Sequence, residues 1–387
     1  MNGEVISFFE NFTCLADKCP DNCCRAWDMP VDSETLEHYE AVSGKDGLLL
    51  RLKLTRNREG DVVLRTLWGK CCNLSKDGLC KLQCNGQSEF MPKVCKLYPR
   101  NTVAYGDYHF GMLDLSCIAA AKMFVETEGR LEFVPAPEDM PIYWTIDDVY
   151  EDFVCDLRED LNNVLDYLWN AETSLWIIER DIFAHCFAMH CHLVRDDVEG
   201  ARYLPFDIDS IKDMCEEQWP GILEMRISED TSDYPFFPMS FINELIYQNI
   251  PEDYLMMYHP KVYKLLKSYK RQFGKITESS ADRAFMGNWK DICEKHSWLS
   301  DKIKSYFSYK LQMNYLNASI DYYVLEPVLL AMLNVQFLMV LVITADGKGD
   351  ELSLKKFAEL IAENERLLSH NKVFNSEAMQ RIRSELF

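Results

Sequence analysis

The chain has 387 residues, of which 48% are hydrophobic, and a formal net charge of −21. This composition is typical of a globular protein, and the length predicts two regions rather than one core. Residues 1–125 carry a net charge of −1 and the remainder carries −20, which argues against nucleic acid and anionic membranes as partners and would suit a cationic protein surface. The alternative for this charge is a solvated helical surface that keeps the protein soluble.

The first third of the chain is predicted to contain short helices and hairpins. Asp32 or Ser33 is a suitable N-cap for a helix over residues 33–44, and the sequence Gly-Lys-Asp-Gly at 44–47 predicts a turn. The alanine-rich run that follows Cys117 predicts a helix to Glu126. Apolar and β-branched stretches predict two hairpins, over residues 48–54 with 61–68 and over residues 101–112.

Asp77-Gly78 is a tight-turn signal, which would place Cys72 and Cys80 opposite each other. This part of the chain is rich in loops and poor in large apolar side chains. A metal would therefore help to hold it together.

Prolines at positions 135, 137 and 141 mark a linker, which divides the chain into a cysteine-rich region, 1–134, and an α-helical region, 135–387. No parallel sheet is predicted after residue 135. Apolar residues at helical spacing predict helices over 146–170, 172–195, 208–226, 238–249, 260–272, 280–295, 297–317, 318–344, 351–368 and 375–386. The fold class is therefore mainly α.

The longest apolar stretch, Pro327–Ala345, contains Asn334 and Gln336, so it predicts a buried helix and no membrane span. The first residues lack a basic segment followed by a long apolar run, which predicts no signal peptide and a cytoplasmic protein. In the cytoplasm thiols stay reduced, and clustered cysteines are then more often metal ligands than disulfides.

Known catalytic motifs give little guidance. The sequence has no phosphate-binding loop, no dinucleotide-binding glycine motif, no serine nucleophile elbow and no H-E-x-x-H zinc motif. The segment His185–His192 contains ligand-type residues, but His185 and His190 are five positions apart, which fits one helix face poorly. A packed helix is the favoured interpretation of this segment.

The cysteines carry a more specific signal. Ten of the fifteen lie between residues 14 and 117. Thiolates bind zinc in four-ligand sites and also hold iron–sulfur clusters, whereas buried small hydrophobes are the alternative role for cysteine. Adjacent Cys23 and Cys24 point in different directions on most backbones, so they serve separate sites or one of them is structural.

Several motifs resemble the flagellin lysine-N-methylase (FliB) family. The stretches that carry the resemblance are Phe12-x-Cys14-x4-Cys19-x3-Cys23-Cys24-x2-Trp27-Asp28, Asp32-x2-Thr35-x3-Tyr39, Cys72-x-Leu74-x4-Leu79-Cys80, Met91-Pro92-x2-Cys95-x2-Tyr98-Pro99-Arg100 and Leu115-Ser116-Cys117. The first half of the chain is also similar to YkgJ-type cysteine-cluster proteins, which are described as zinc- or iron-chelating. More loosely, Asn314-Tyr315-Leu316 and Glu365-Arg366-x3-Ser369-His370-Asn371 resemble the closing segment of the methylases. Cys71 and Cys84 have no counterpart in these motifs.

The resemblance implies methyl transfer from S-adenosylmethionine to lysine side chains of flagellin or another lysine-rich protein, in a protein with a [4Fe–4S] cluster. Zinc is the alternative metal. The implied site residues are the ligand pool Cys14, Cys19, Cys23, Cys24, Cys72, Cys80, Cys95 and Cys117, with Asp28, Tyr98 and Arg100 as catalytic candidates and Trp27 as a cofactor contact. The rival hypothesis is a zinc- or iron-binding cysteine-cluster protein that performs no chemistry.

Overall fold

The computed structural model describes residues 2–25, 27–57, 60–147, 149–195, 200–201, 204, 206–218, 234–273, 278–321, 323–347, 349, 351–369 and 372–386. The fold is mainly α-helical with small β-sheets near the N-terminus, which confirms the predicted fold class.

Five short helices lie in the first third of the chain: Ser33–Ala41 (α1), Gly44–Arg51 (α2), Lys81–Cys84 (α3), Lys93–Leu97 (α4) and Ile118–Glu126 (α5). Asp32 caps α1 as predicted, because its carboxylate accepts a hydrogen bond of 3.0 Å from the Thr35 backbone N–H. The turn predicted at 44–47 is wrong. Gly44 adopts a positive φ of 72° that reverses the chain, and the following leucines continue as a helix that buries Leu50.

Five strands form the main sheet in the order β8-β1-β7-β6-β9, and two small hairpins, β2–β3 and β4–β5, stand apart from it. The strands are Asn2–Ile6 (β1), Leu54–Arg56 (β2), Val62–Leu64 (β3), Thr66–Leu67 (β4), Lys70–Cys71 (β5), Arg100–Tyr105 (β6), Tyr108–Leu113 (β7), Phe133–Pro135 (β8) and Trp144–Ile146 (β9). β6 and β7 pair antiparallel, which confirms the hairpin predicted over 101–112.

Three details of the predicted β-structure are wrong. The first hairpin is shorter than predicted, because residues 48–51 belong to α2. Cys80 pairs with Leu74 rather than with Cys72, since the turn closes between Ser75 and Leu79. A parallel strand follows residue 135, because β9 joins β6; three residues are too few to show a strand period in the sequence.

Longer helices fill the rest of the chain: Glu151–Asn170 (α6), Leu175–Val194 (α7), Ile208–Gln218 (α8), Met239–Glu244 (α9, continued by a π-helical turn to Asn249), Glu252–Tyr258 (α10), Pro260–Phe273 (α11), Glu278–Lys295 (α12), Leu299–Asn314 (α13), Ala318–Asp321 (α14), Leu325–Asp346 (α15), Leu354–Leu368 (α16) and Lys372–Leu386 (α17). They confirm the predicted helices, with two differences. Residue 146 belongs to β9, and the helix predicted over 318–344 is divided into α14 and α15. Residues 219–226 of one predicted helix lie outside the described residues.

The central helix of the fold is α15. It has the length and apolar composition to cross a membrane, but 94% of its most hydrophobic window is buried inside the protein. Two of its polar side chains donate hydrogen bonds: Gln336 donates one of 2.6 Å to the Phe237 carbonyl, and Asn334 donates one of 2.7 Å to the Leu330 carbonyl. The predicted buried helix is confirmed.

One large apolar core joins the main sheet, α5 and the long helices, and α5 packs against α16. α7 is a buried helix of this core, as favoured from the sequence. Its His185 imidazole lies 2.7 Å from the Asp160 carboxylate, which also accepts the Tyr315 hydroxyl. The packing of α5 on α16 brings Cys117, the N-cap of α5, close to a helix from the C-terminal part of the chain.

Candidate functional site

The cysteines of the N-terminal region lie in two groups. We call Cys14, Cys19, Cys23 and Cys117 the first thiol group. Burial raises the pKa of the Cys19 thiol, and the neighbouring Cys14 and Cys23 thiols add to the effect. Burial likewise raises the pKa of Cys117 to about 11, with Cys19 and Cys23 among its neighbours. Thiols from the two ends of the region are therefore close in space.

Backbone N–H groups point at the sulfurs of the first thiol group. The Ala16 N–H lies 3.4 Å from the Cys14 sulfur. The other backbone donors are Asp21 toward Cys19, and Ala119 and Ala120 toward Cys117. Such donors favour the thiolate over the thiol and are the usual surroundings of sulfur ligands in metal centres.

The second thiol group consists of Cys24, Cys71, Cys72, Cys80 and Cys95. Burial raises the pKa of Cys95 far above its ordinary value, and Cys71 and Cys80 are among its neighbours. Cys24 has Cys71 and Cys95 as neighbours and forms a hydrogen bond with the adjacent Cys23. Cys23 is a neighbour of Cys95 as well, so the two groups meet at the consecutive residues 23 and 24.

The described cysteines are free thiols. Within the described ranges, no three His, Cys, Asp or Glu side chains are arranged so that they could hold a metal ion. The ligand pool named from the sequence therefore stays a prediction.

Arg366 on α16 joins the two segments that carry the first thiol group. Its Nε donates a hydrogen bond of 2.8 Å to the Ser116 carbonyl, and its guanidinium forms a short ion pair with Asp21. Asp21 lies between Cys19 and Cys23, and Ser116 precedes Cys117. Burial is the largest single effect and raises the pKa of Asp21, but the charge and hydrogen bond of Arg366, the Asn22 backbone N–H and the Lys261 charge together hold the pKa below the ordinary carboxyl value.

Two of the predicted site residues lie beside the first thiol group. The buried Tyr98 hydroxyl shares a hydrogen bond of 2.8 Å with the Ser116 hydroxyl. The Trp27 ring lies 6.0 Å from that of Tyr98, and its indole N–H donates a hydrogen bond of 2.6 Å to the Cys23 carbonyl. Burial, Asp114 and Cys117 raise the pKa of Tyr98, so the hydroxyl stays protonated.

The other two predicted residues have different surroundings. The Arg100 guanidinium lies over the rings of Phe9 and Phe12, 5.5 and 5.4 Å from their centroids, and donates to the Phe12 carbonyl at 3.2 Å. These contacts fix the N-terminal segment. Asp28 is exposed, and its charge contributes to the raised pKa of Tyr254, in which burial is the larger cause.

A small acidic pocket adjoins the Arg366–Asp21 pair. Its carboxylates are Asp21, Glu359 and Glu363, and Lys261 enters it with its Nζ 3.3 Å from Glu363 Oε1 and 3.8 Å from Asp21 Oδ2. The space in the pocket that the centre of a water molecule can reach is about 20 Å³, enough for about one water and far too little for a nucleoside.

Several residues of this arrangement carry no clear signal in the sequence. Arg366 stands there only as part of a motif, and Asp21 and Glu363 look like ordinary surface charges. Cys71 has no counterpart in the family motifs, although it is buried and neighbours Cys24 and Cys95. Asn73 gave no signal either, yet its side chain is 1% exposed and neither its nitrogen nor its oxygen has a hydrogen-bond partner.

The chain is similar to three known proteins over 118 residues, at 27% identity. One is the flagellar biosynthetic protein FliU of Salmonella muenchen, with 29% of this chain and 69% of the relative covered. The others are lysine-N-methylases of Salmonella choleraesuis and Salmonella typhimurium, with 29% of each chain covered. The predicted resemblance to these methylases is confirmed over that segment, which is less than a third of their length.

No protein-family model matches the chain. No solved structure matches it either.

Proposed function

We propose that this protein is a cytoplasmic protein-lysine N-methyltransferase that moves a methyl group from S-adenosylmethionine to lysines of flagellin or another lysine-rich protein surface. The observation that carries the proposal is the similarity to lysine-N-methylases over 118 residues. The convergence of the first thiol group, Tyr98, Trp27 and the closing-segment residue Arg366 supports it.

Methyl transfer to lysine requires a neutral amine, whereas an ordinary lysine with a pKa near about 10.4 is protonated in water. The acidic pocket supports this step, because its carboxylates attract a cationic side chain and, once water is excluded, one of them can accept its proton, since burial lowers the pKa of an amine and raises that of a carboxylate. In the transfer the amine nitrogen bonds to the methyl carbon, the carbon–sulfur bond of the sulfonium breaks, and the amine proton passes to a carboxylate. Glu363 is the candidate acceptor of the proton, since its Oε1 lies 3.3 Å from the Nζ of the protein's own Lys261.

The first thiol group fits a [4Fe–4S] cluster in donor chemistry, with four sulfurs and backbone N–H groups directed at three of them. A cluster held by Cys14, Cys19, Cys23 and Cys117 would fix the early and late segments relative to each other. Arg366 holds the backbone of Ser116 in position, and the Tyr98 hydroxyl forms a hydrogen bond with the Ser116 hydroxyl. Ser116 directly precedes Cys117.

The test is incubation of the full chain with flagellin and isotope-labelled S-adenosylmethionine, followed by mass spectrometry of the lysines. We expect labelled methyl groups on lysine side chains. Glu363→Gln should lower kcat/KM by at least about tenfold, because general-base catalysis typically contributes 10²–10⁴-fold. The matched control is Glu351→Gln, an exposed glutamate, which should leave the rate unchanged. Metal-loaded protein that transfers no methyl group to any lysine would favour the non-catalytic metal-binding hypothesis instead.

A further inference from the structure

We propose that an exposed apolar face of the N-terminal region docks an acidic segment of a partner protein. We call it the leucine–tryptophan face, and it consists of Leu48, Leu49, Leu52, Leu67 and Trp68. It uses no residue of the first thiol group or of the acidic pocket. The proposal therefore stands independently of the proposed methyl transfer.

Exposed apolar side chains are concentrated at this face. The described part of the chain has thirteen large apolar side chains that are exposed to solvent, and five of them lie between residues 48 and 68. The exposed fractions of the four leucines lie between 49% and 60%, and that of Trp68 is 88%. Single exposed apolar residues are ordinary, whereas a group of five that includes a tryptophan is typical of a protein–protein contact.

Two neighbouring elements carry the five side chains. α2 and its C-cap contribute three leucines, and the first two lie four and three positions before Leu52, so the three share one helix face. The β4–β5 hairpin contributes the other two side chains. It begins beside the end of α2, because the Arg65 N–H donates a hydrogen bond of 2.7 Å to the Lys53 carbonyl and the Arg65 Nε donates one of 3.0 Å to the Leu52 carbonyl.

Trp68 occupies a turn position that disfavours it. The β4–β5 hairpin closes with a two-residue turn, in which Trp68 and Gly69 adopt positive φ angles of 54° and 70°. Turns of this kind prefer Asn-Gly, because a bulky side chain is disfavoured at positive φ. A tryptophan that is both exposed and held in a strained conformation points to a function outside the fold itself.

The turn is also fixed in place. The ring of Tyr258 on α10 packs on Gly69, since a Cβ at this glycine would lie 2.9 Å from the ring. On the other strand of the hairpin, Lys70 pairs with Arg25. Because the hairpin is held from two sides, Trp68 is presented to a partner with little loss of conformational entropy on binding.

The charge around the face indicates the chemistry of the partner. Residues 44–71 contain seven Lys and Arg against three Asp and Glu, a net charge of +4 in a chain of net charge −21. The guanidinium groups of Arg51 and Arg65 donate hydrogen bonds of 3.0 Å to the carbonyls of Val42 and Leu52, and neither forms an ion pair with a carboxylate of the described residues. Their charges stay available, so a complementary partner brings carboxylates together with apolar side chains.

An anionic lipid surface offers similar chemistry, but the rest of the chain argues against it. The chain after residue 125 carries a net charge of −20, which an anionic bilayer would repel. A peptide segment contacts the leucine–tryptophan face alone. The charge distribution therefore favours an acidic protein segment over a membrane.

The first test measures binding of labelled synthetic peptides to the full chain by fluorescence anisotropy. The probe is a peptide of about five helical turns with leucine at every third or fourth position and glutamate elsewhere. One control has glutamine in place of glutamate, and the other has serine in place of leucine. We expect the probe to bind at least tenfold more tightly than either control and to bind more weakly as salt rises. Equal binding of all three peptides, or no binding, would overturn the proposal.

The second test uses Trp68→Asn, which removes the ring and places a residue suited to positive φ in the turn. Binding of the probe should weaken at least tenfold, while the midpoint of unfolding in denaturant stays unchanged or rises. Trp144→Ala, at an exposed tryptophan of β9, is the matched control and should bind normally. Unchanged binding by Trp68→Asn, or equal losses in the two variants, would contradict the proposal.

Charge reversal separates the cationic contribution from the apolar one. Lys70→Glu, at an exposed position of β5, should weaken binding of the probe and reduce its dependence on salt. Lys355→Glu, at an exposed position of α16, changes the net charge equally and should leave binding as it is. Equal effects of the two variants would show a response to net charge and overturn the docking site.

The remaining occupants are tested with the unmodified chain and Trp68→Asn. We expect neither protein to sediment with vesicles of phosphatidylcholine and phosphatidylglycerol, and we expect light scattering to give the same mass for both. Vesicle binding that is lost in Trp68→Asn would assign the face to a membrane, and self-association that is lost would assign it to a second copy. Either result would overturn the proposal. None of these measurements involves the methyl donor or flagellin, so its failure is distinguishable from failure of the proposed methyl transfer.

Discussion

Residues 27–97 and residues 151–386 are held together in different ways. The first segment has two apolar clusters of five and three buried residues, with thiols packed on both. The second contributes most of one large core that surrounds α15. The long helices are stable by apolar burial, whereas the thiol-bearing segment buries little apolar surface, so we expect it to depend on polar contacts and on metal bound by its cysteines.

Removal of metal should give the largest difference between the two regions. Structural zinc contributes on the order of 10–16 kcal/mol in zinc-finger peptides. After chelation we expect residues 27–97 to lose hydrogen-exchange protection while α13, α15 and α16 keep theirs. Equal loss of protection in both regions, or no loss in either, would show that the two regions do not differ in their dependence on metal.

The helical region should respond to pH instead. Burial raises the pKa of Glu179 from 4.5 to about 8, although the neighbouring Arg180 opposes the shift. The folded protein then holds a proton that the unfolded chain releases. The contribution of this proton to the free energy of unfolding is complete below pH 4.5. It declines as the pH rises to about 8, by up to about 5 kcal/mol at 1.36 kcal/mol per pKa unit.

Glu179→Gln should remove this decline, because an amide does not titrate. The measurement is the free energy of unfolding in denaturant between pH 5 and 8. Parallel pH profiles of the variant and the unmodified chain would rule out Glu179 as the cause.

A buried ion pair holds α13 to α16 in the same region. Lys310 Nζ lies 3.0 Å from Glu365 Oε2, and the two side chains are 5% and 2% exposed. Lys310→Met should destabilise the fold by about 3–5 kcal/mol, since it leaves a buried carboxylate without its partner. Lys355→Met, at an exposed position of α16, should change stability by less than about 0.5 kcal/mol, and equal effects of the two would exclude the ion pair as the cause.

Arg366 joins the helical region to the segments that carry the first thiol group, and its loss should cost less stability and have a specific effect on metal. Arg366→Ala removes the contacts to Asp21 and Ser116, and we expect a cost of about 1–3 kcal/mol together with reduced metal at the first thiol group. Arg381→Ala removes exposed contacts to Glu244 and Gln248 and serves as the control. Unchanged metal content in Arg366→Ala would contradict the positioning role of Arg366.

The sequence predicts the helical region well because each long helix carries its own apolar period, and Asn334 and Gln336 already mark α15 as buried. It predicts the thiol-bearing segment less well. The strand β9 and the pairing of Cys80 depend on residues distant in sequence or on turn geometry, and neither leaves a local period.

The candidate site shows the same limit. The cysteines and the neighbouring Trp27 and Tyr98 could be named from motifs alone. Arg366 lies in a motif too, but its role could not be named, because its contact with Asp21 spans 345 positions and exists only when α16 packs on α5. The neighbours of each thiol could not be named either, since Cys71 and Cys95 approach Cys24 only in space.

Metal and acid-labile sulfide in anaerobically purified full chain test the central claim most directly. We predict iron and acid-labile sulfide bound to the cysteines of the N-terminal region. A fully folded, colourless chain that contains no iron would contradict it.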